Sequence, residues 1–195
     1  MGITNKPKFL AVLGFIAILM GTISAEAMKL YQDGNLKVTP KEHVIRVAIG
    51  NGSVNLLEGQ STSTIGINTF NGQKLNDNRS FIADSITVNY GVAADGTTAS
   101  NVAYTTALPA ALRAGALVFK QDNEVIFRVQ LASVVEAKST DARFKDLEGF
   151  QLLREDITTE VYLEMPAGAD LAPGAGNSGY IEVIANGFET SAKRR

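Results

Sequence analysis

The chain has 195 residues, a mass of 20.7 kDa, 45% hydrophobic and 19% charged residues, and a net charge of -2. That length and balance suit one folded domain with an appendage and exclude disorder along the whole chain. Near-neutrality gives no global reason to bind nucleic acid; zero cysteines exclude disulfides, thiolate metal sites and cysteine nucleophiles; and the single histidine, His43, excludes any site needing two imidazoles. These counts predict a structural or binding protein rather than an enzyme.

The first element is apolar. Phe9 to Ala25 reads FLAVLGFIAILMGTISA, without a charge, after Lys6 and Lys8 and before Glu26 and Lys29. Such a run is not left in water. Three readings stay open for residues 1–30: a secretory signal cleaved at Ala25-Glu26-Ala27, a membrane anchor whose lysines snorkel outward, or a helical arm packed on a partner subunit. The residues that would touch membrane or a neighbouring subunit are Phe9, Leu10, Val12, Leu13, Phe15, Ile16, Ile18, Leu19 and Met20.

Residues 31–195 read as a single β domain. His43–Ile49 and Ser53–Leu57 are expected as a short pair around Gly50-Asn51-Gly52, with Ser63–Ile67 as a further strand. Ile82, Asp84, Ile86, Val88, Tyr90 and Val92 alternate with Ser85, Thr87 and Asn89, the pattern of a half-buried strand. Pro109–Ala114 is expected as one helical turn. Leu117 and Phe119 alternate up to Asp122-Asn123, and Val125, Phe127, Val129 and Leu131 alternate away from it, which predicts a hairpin whose turn residues tolerate positive φ. Asp141–Leu153 is expected to be helical, from Phe144, Leu147, Phe150 and Gln151. Thr158–Met165 and Tyr180–Phe188 close the list of strands. About eight antiparallel strands separated by Gly/Asn/Asp turns predict an all-β sandwich with an N-terminal apolar helix. The 68–80, 93–106 and 166–179 loops are long, and the second is almost uncharged, which suits it to protein contacts.

No catalytic, cofactor-binding or metal-binding constellation emerges. His43 has no nucleophile-elbow partner and is expected to be structural. Asn76-Asp77-Asn78 lacks the remaining ligands of a calcium loop and reads as a turn. Gly174 to Gly179 matches G-x-G-x-x-G by letter, but a strand follows it instead of the helix that a pyrophosphate needs. Glu155-Asp156 and Asp146 with Glu148 read as a solvated charged face. Lys6, Lys8, Lys193, Arg194 and Arg195 are the candidates for touching phosphates or lipid headgroups.

The stretches FIADSITVNYGV, ALPAALRAGALVFKQDNEVIFRVQLASVV, TTEVYLEMPAGADL and YIEVIANGFET together resemble jelly-roll capsid proteins of small icosahedral tailless bacteriophages, including those with an internal membrane. The resemblance covers a little over half the chain and rests on the order of elements. It implies a jelly-roll sandwich, self-assembly into a virion shell, and contacts with copies of itself, other virion proteins and a lipid membrane, with no cofactor and no specific nucleic-acid recognition. The alternative from another class is an exported β-sandwich of a bacterial envelope, periplasm or surface, whose N-terminus is a signal or anchor.

Overall fold

The computed structural model describes residues 6–19, 25–76, 79–139 and 143–192. Among them, eight strands form two antiparallel sheets of four. Sheet 1 runs β1 (Leu36–Ile49), β8 (Asn177–Ala192), β3 (Phe81–Ala94), β6 (Lys145–Leu153); sheet 2 runs β2 (Val54–Asn55), β7 (Thr159–Glu164), β4 (Ala116–Gln121), β5 (Glu124–Gln130). Each strand of the first half pairs with its mirror in the second: β1 with β8, β2 with β7, β3 with β6 and β4 with β5. The pairs therefore nest around the β4–β5 turn, and β8–β3 and β7–β4 contacts join them into sheets.

Period-two alternation builds the core between the sheets. Ile45 and Ile49 of β1, Ile181 and Val183 of β8, and Ile86 and Val88 of β3 face Leu117, Phe119, Val161 and Leu163 of sheet 2 in one buried cluster. Phe119 stacks on Phe127 across the hairpin, with ring centroids 4.4 Å apart. The hairpin turn is as expected: Asp122 and Asn123 take φ of 51° and 65°, the twist that a two-residue turn between strands requires.

Two bulges break alternations that look continuous in sequence. On β3, Ala83 faces Gly187 and Ser85 faces Asn186, so Asp84 is an extra residue. Ile82 consequently points away from the core that Ile86, Val88 and Tyr90 enter, which corrects the expectation that these residues share one face, while Val92 keeps their register and is 45% exposed near the end of the strand. On β5, a shift at Ile126 leaves Val125 57% exposed while Phe127 and Val129 are buried.

Three further expectations change. β1 begins seven residues before His43 and pairs with β8, whereas β2 belongs to the other sheet, so the Gly50–Gly52 turn crosses between sheets. The early part of β1 is hidden in sequence by Pro40, which an edge strand tolerates. Ser63–Ile67 forms a turn closed by a Thr64–Asn68 bridge. The expected helix at Asp141–Leu153 is replaced by β6, with Glu148 at φ 59°, while the helix α4 spans Leu131–Ser139. Leu131 and Val134, both fully buried, are spaced for a helix face, and Leu131 had been counted into the preceding strand. The turn after Pro109 forms as expected, over Ala110–Arg113 (α3).

The sheet edges are shielded in part or interrupted. Residues 67–69 lie along β1, where the Arg46 amide donates to the Ile67 carbonyl at 2.7 Å and the Thr69 amide to the Val44 carbonyl at 3.0 Å. β2 has only two residues, and β5 and β6 carry irregularities and charged side chains.

At the centre of sheet 1, a Cβ on Gly187 would overlap the Ile82 carbonyl. Gly187→Ala is therefore expected to cost more than about 3 kcal/mol, or to prevent folding, in urea unfolding followed by circular dichroism.

Candidate functional site

The apolar N-terminus forms α1 (Lys6–Ile18), and α2 (Ala25–Gln32) follows after residues 20–24. α1 lies on the outer face of sheet 1. Val12 and Ile16, four apart and so on one helix face, are buried against Ile82 and Phe188, with Tyr31, Leu36, Val38 and Leu152 around them. Phe15 meets Phe150 with ring centroids 5.5 Å apart. The Asp84 bulge makes this seat: it turns Ile82 outward and presents the Asp84 carboxylate, which Lys8 Nζ meets at 2.5 Å.

The nine residues expected to face membrane or a neighbour thus divide. Val12 and Ile16 are fully buried on their own domain, and Leu13, Phe15 and Leu19 are half-buried. Phe9, Leu10 and Ile18 are exposed, Ile18 by 83%, and Met20 falls outside the described residues. Because α1 is apolar all round, the sequence carries no sign of which face the domain takes. No helix among the described residues is long and apolar enough to cross a membrane.

Of the expected cationic contacts, Lys6 opens α1 and Lys8 is engaged by Asp84. Lys193, Arg194 and Arg195 lie outside the described residues. They follow Ala192, which pairs with Leu36 beside the α1 seat, so both ends of the described chain reach the same end of sheet 1.

The opposite end of that outer face is organised by a charged pair the sequence did not single out. Arg46 and Glu182 are register partners on β1 and β8. Arg46 Nε donates to Glu182 Oε1 at 2.7 Å, Nη2 lies 2.6 Å from the same oxygen, and Asn89 of β3 donates to Oε2 at 2.5 Å. Arg46 Nη1 also donates to the Gly66 carbonyl at 2.6 Å, and its guanidinium sits 5.8 Å from the Tyr104 ring centroid. One side chain thereby ties the 62–68 turn and the 95–106 loop to the sheet. Tyr104 donates to the Ala99 carbonyl and Tyr180 to the Thr97 carbonyl, each at 2.8 Å. Burial is the first cause that pushes the Tyr104 phenol up to about 12. An open hollow of about 570 Å³ beside this network is lined by Arg46, Asn55, Glu58, Gln60, Thr97 and Tyr180. The only signal available for Arg46 and Glu182 was their position on outward-facing strand sites, which exposed charges share.

Glu155 departs from the expected solvated face: it is buried and accepts a hydrogen bond from the Ser80 hydroxyl, while Asp146 caps the Glu148 amide. Gly174 and Gly176 take positive φ in the turn that leads into β8. Asp77 and Asn78 lie outside the described residues. No group of three or more metal-ligating side chains occurs among the described residues.

Comparison with protein-family models, curated proteins and solved structures gives no match. Any functional reading therefore stands on the geometry of this chain.

His43 is a core residue, 3% exposed, edge-on to Phe81 at 4.5 Å and bonded through Nδ1 to the Thr69 hydroxyl at 3.0 Å. Burial, with a smaller contribution from Lys41, lowers its pKa from 6.5 to about 3. The unfolded imidazole binds a proton near pH 6.5 while the folded one stays neutral. Its contribution to stability is thus complete above pH 6.5 and drains away as the pH falls toward 3. The loss is about 2 kcal/mol by pH 5. Urea midpoints measured from neutral pH to pH 5 should fall more steeply for the parent than for His43→Leu; parallel slopes would refute the buried neutral imidazole.

Proposed function

We propose that this chain is a virion structural protein, a jelly-roll capsid subunit that self-assembles into an icosahedral shell. Strand order is the observation that carries the reading. Sheets ordered 1-8-3-6 and 2-7-4-5, with mirror-numbered strands paired, are what results when one long hairpin rolls into two Greek keys, and shell-forming coat domains use that arrangement.

In this reading α1 works on two sides. Its Val12–Ile16 side is fixed to sheet 1, where each fully buried side chain contributes about 1.5–3 kcal/mol. Its Leu10–Ile18 side is left for membrane or a neighbouring subunit. The seat on Ile82 and Phe188 supports a helix that stays with the domain over a leader that is cleaved from it.

Electron microscopy of the purified protein tests the proposal. Closed particles of uniform diameter are expected, and dispersed 20.7 kDa monomers would overturn it. Within α1, Ile16→Asp should destabilise the domain by several kcal/mol, on the order of 3, because it buries a charge against Phe188. Ile18→Asp should leave urea unfolding unchanged and weaken only particle formation or vesicle flotation; unchanged behaviour in both assays would remove the contact role of that face.

A further inference from the structure

We propose that the charge-free face built by the 59–73 and 96–112 segments is a contact surface for a second copy of this chain, with Ile65 as its protruding knob. The partner's identity rests on the shell reading above; the surface itself rests on independent observations.

In a chain with 19% charged residues, no charge occurs between Glu58 and Lys74 or between Asp95 and Arg113. The fold brings residues 62–66 and 100–104 of these stretches together. Gly66 packs on Ser100, where a Cβ on the glycine would lie 3.5 Å from the serine Cβ, and Arg46 reaches both loops from beneath. Thr62, Ser63, Thr64, Ser100, Asn101 and Ala103 are exposed across the resulting face. Ile65 stands above it, 101% exposed, more than any other large apolar side chain among the described residues.

The turn that presents Ile65 is held firmly. The Thr64 amide donates to the Asn68 carbonyl at 2.8 Å, the Ile67 amide to the Thr64 carbonyl at 3.0 Å, and the Ser63 hydroxyl to the Asn68 carbonyl at 3.2 Å. Arg46 anchors Gly66 and Ile67 from the sheet side. An apolar side chain on a fixed turn loses little further freedom on docking, so its burial is retained as affinity.

Neutrality selects the partner class. Phosphates and anionic headgroups would call for cations here, and a charged protein would call for the opposite sign. Where the patch meets itself across a two-fold contact between copies, an uncharged surface juxtaposes no like charges and strips none of water. The polar groups that remain are hydroxyls and amides, which suit the rim of such a contact.

The test uses the full chain, with sedimentation velocity and electron microscopy across a concentration series. Ile65→Asp and Ile65→Lys should each raise the concentration needed for half-assembly by about tenfold or more, with an unchanged melting curve because the side chain makes no burial. Val125→Asp, at an exposed site on β5, should assemble like the parent. If the parent assembles and the Ile65 variants do so equally well, this contact is wrong and the shell reading stands. A parent that stays monomeric at every concentration overturns both. Disruption by only one sign of charge would assign the face to a charged partner, and equal disruption by Val125→Asp would show that the effect does not belong to this face; either result overturns the proposal.

Discussion

The fold depends on β8 lying between β1 and β3. β1 pairs with it from Leu36 opposite Ala192 to Ile49 opposite Gly179, and β3 pairs along its other side from Glu189 to Asn177. Without β8 these two strands are not neighbours and sheet 1 does not exist. The strand meets the demand by being buried on both faces: Ile181, Val183 and Ala185 toward the core, Tyr180, Glu182 and Ile184 outward. Gly187 lets it press against the backbone of β3 where the Asp84 bulge kinks that strand. Such long-range pairing has to be closed against the entropy of the loops between, so the domain belongs to the slower-folding β topologies.

Glu182 shows how a buried charge is made tolerable in that strand. Its side chain is 8% exposed, and both carboxylate oxygens are occupied, one by Arg46 and the other by Asn89. A pair of this kind adds little net stability over apolar residues, but loss of either member strands the other without water. Its structural yield is specificity of placement. The guanidinium has donors left over after Glu182 is satisfied, and it spends one on Gly66 while its face lies near Tyr104. Two loops that carry almost no charge are located by a single ion pair beneath them.

β7 is legible because its period-two pattern follows directly from burial of one face, while β4 and β8, buried on both faces, show as apolar-rich runs, the first of them ended by the Asp-Asn turn. The bulges are not legible. An inserted Asp84 or Ile126 changes no composition and leaves the letters alternating while the faces exchange, so Ile82 and Val125 lie on the side opposite to the one the letters suggest. The region from Leu131 to Leu153 was misread because a helix and a strand follow one another within it, and Phe144, Leu147 and Phe150 fit a loose helical stripe as well as an irregular strand. At the candidate surfaces, the sequence marks α1 as apolar and the 93–106 loop as almost uncharged. It does not mark the turn at Ile65 as a neighbour of that loop or the Arg46–Glu182 pair as its support, since those relations exist only after β1 meets β8.

The shielding of the sheet edges has a consequence for crowding. In a shell, subunits sit at local concentrations at which any bare strand edge would recruit another and extend without limit. Here residues 67–69 overlie β1, β2 is too short to template a partner, and β5 and β6 are kinked. Main-chain recruitment is thereby disfavoured, so in the proposed shell growth would run through side-chain surfaces whose angles are set. Growth at fixed angles can curve back on itself and stop, whereas edge-to-edge addition yields fibres.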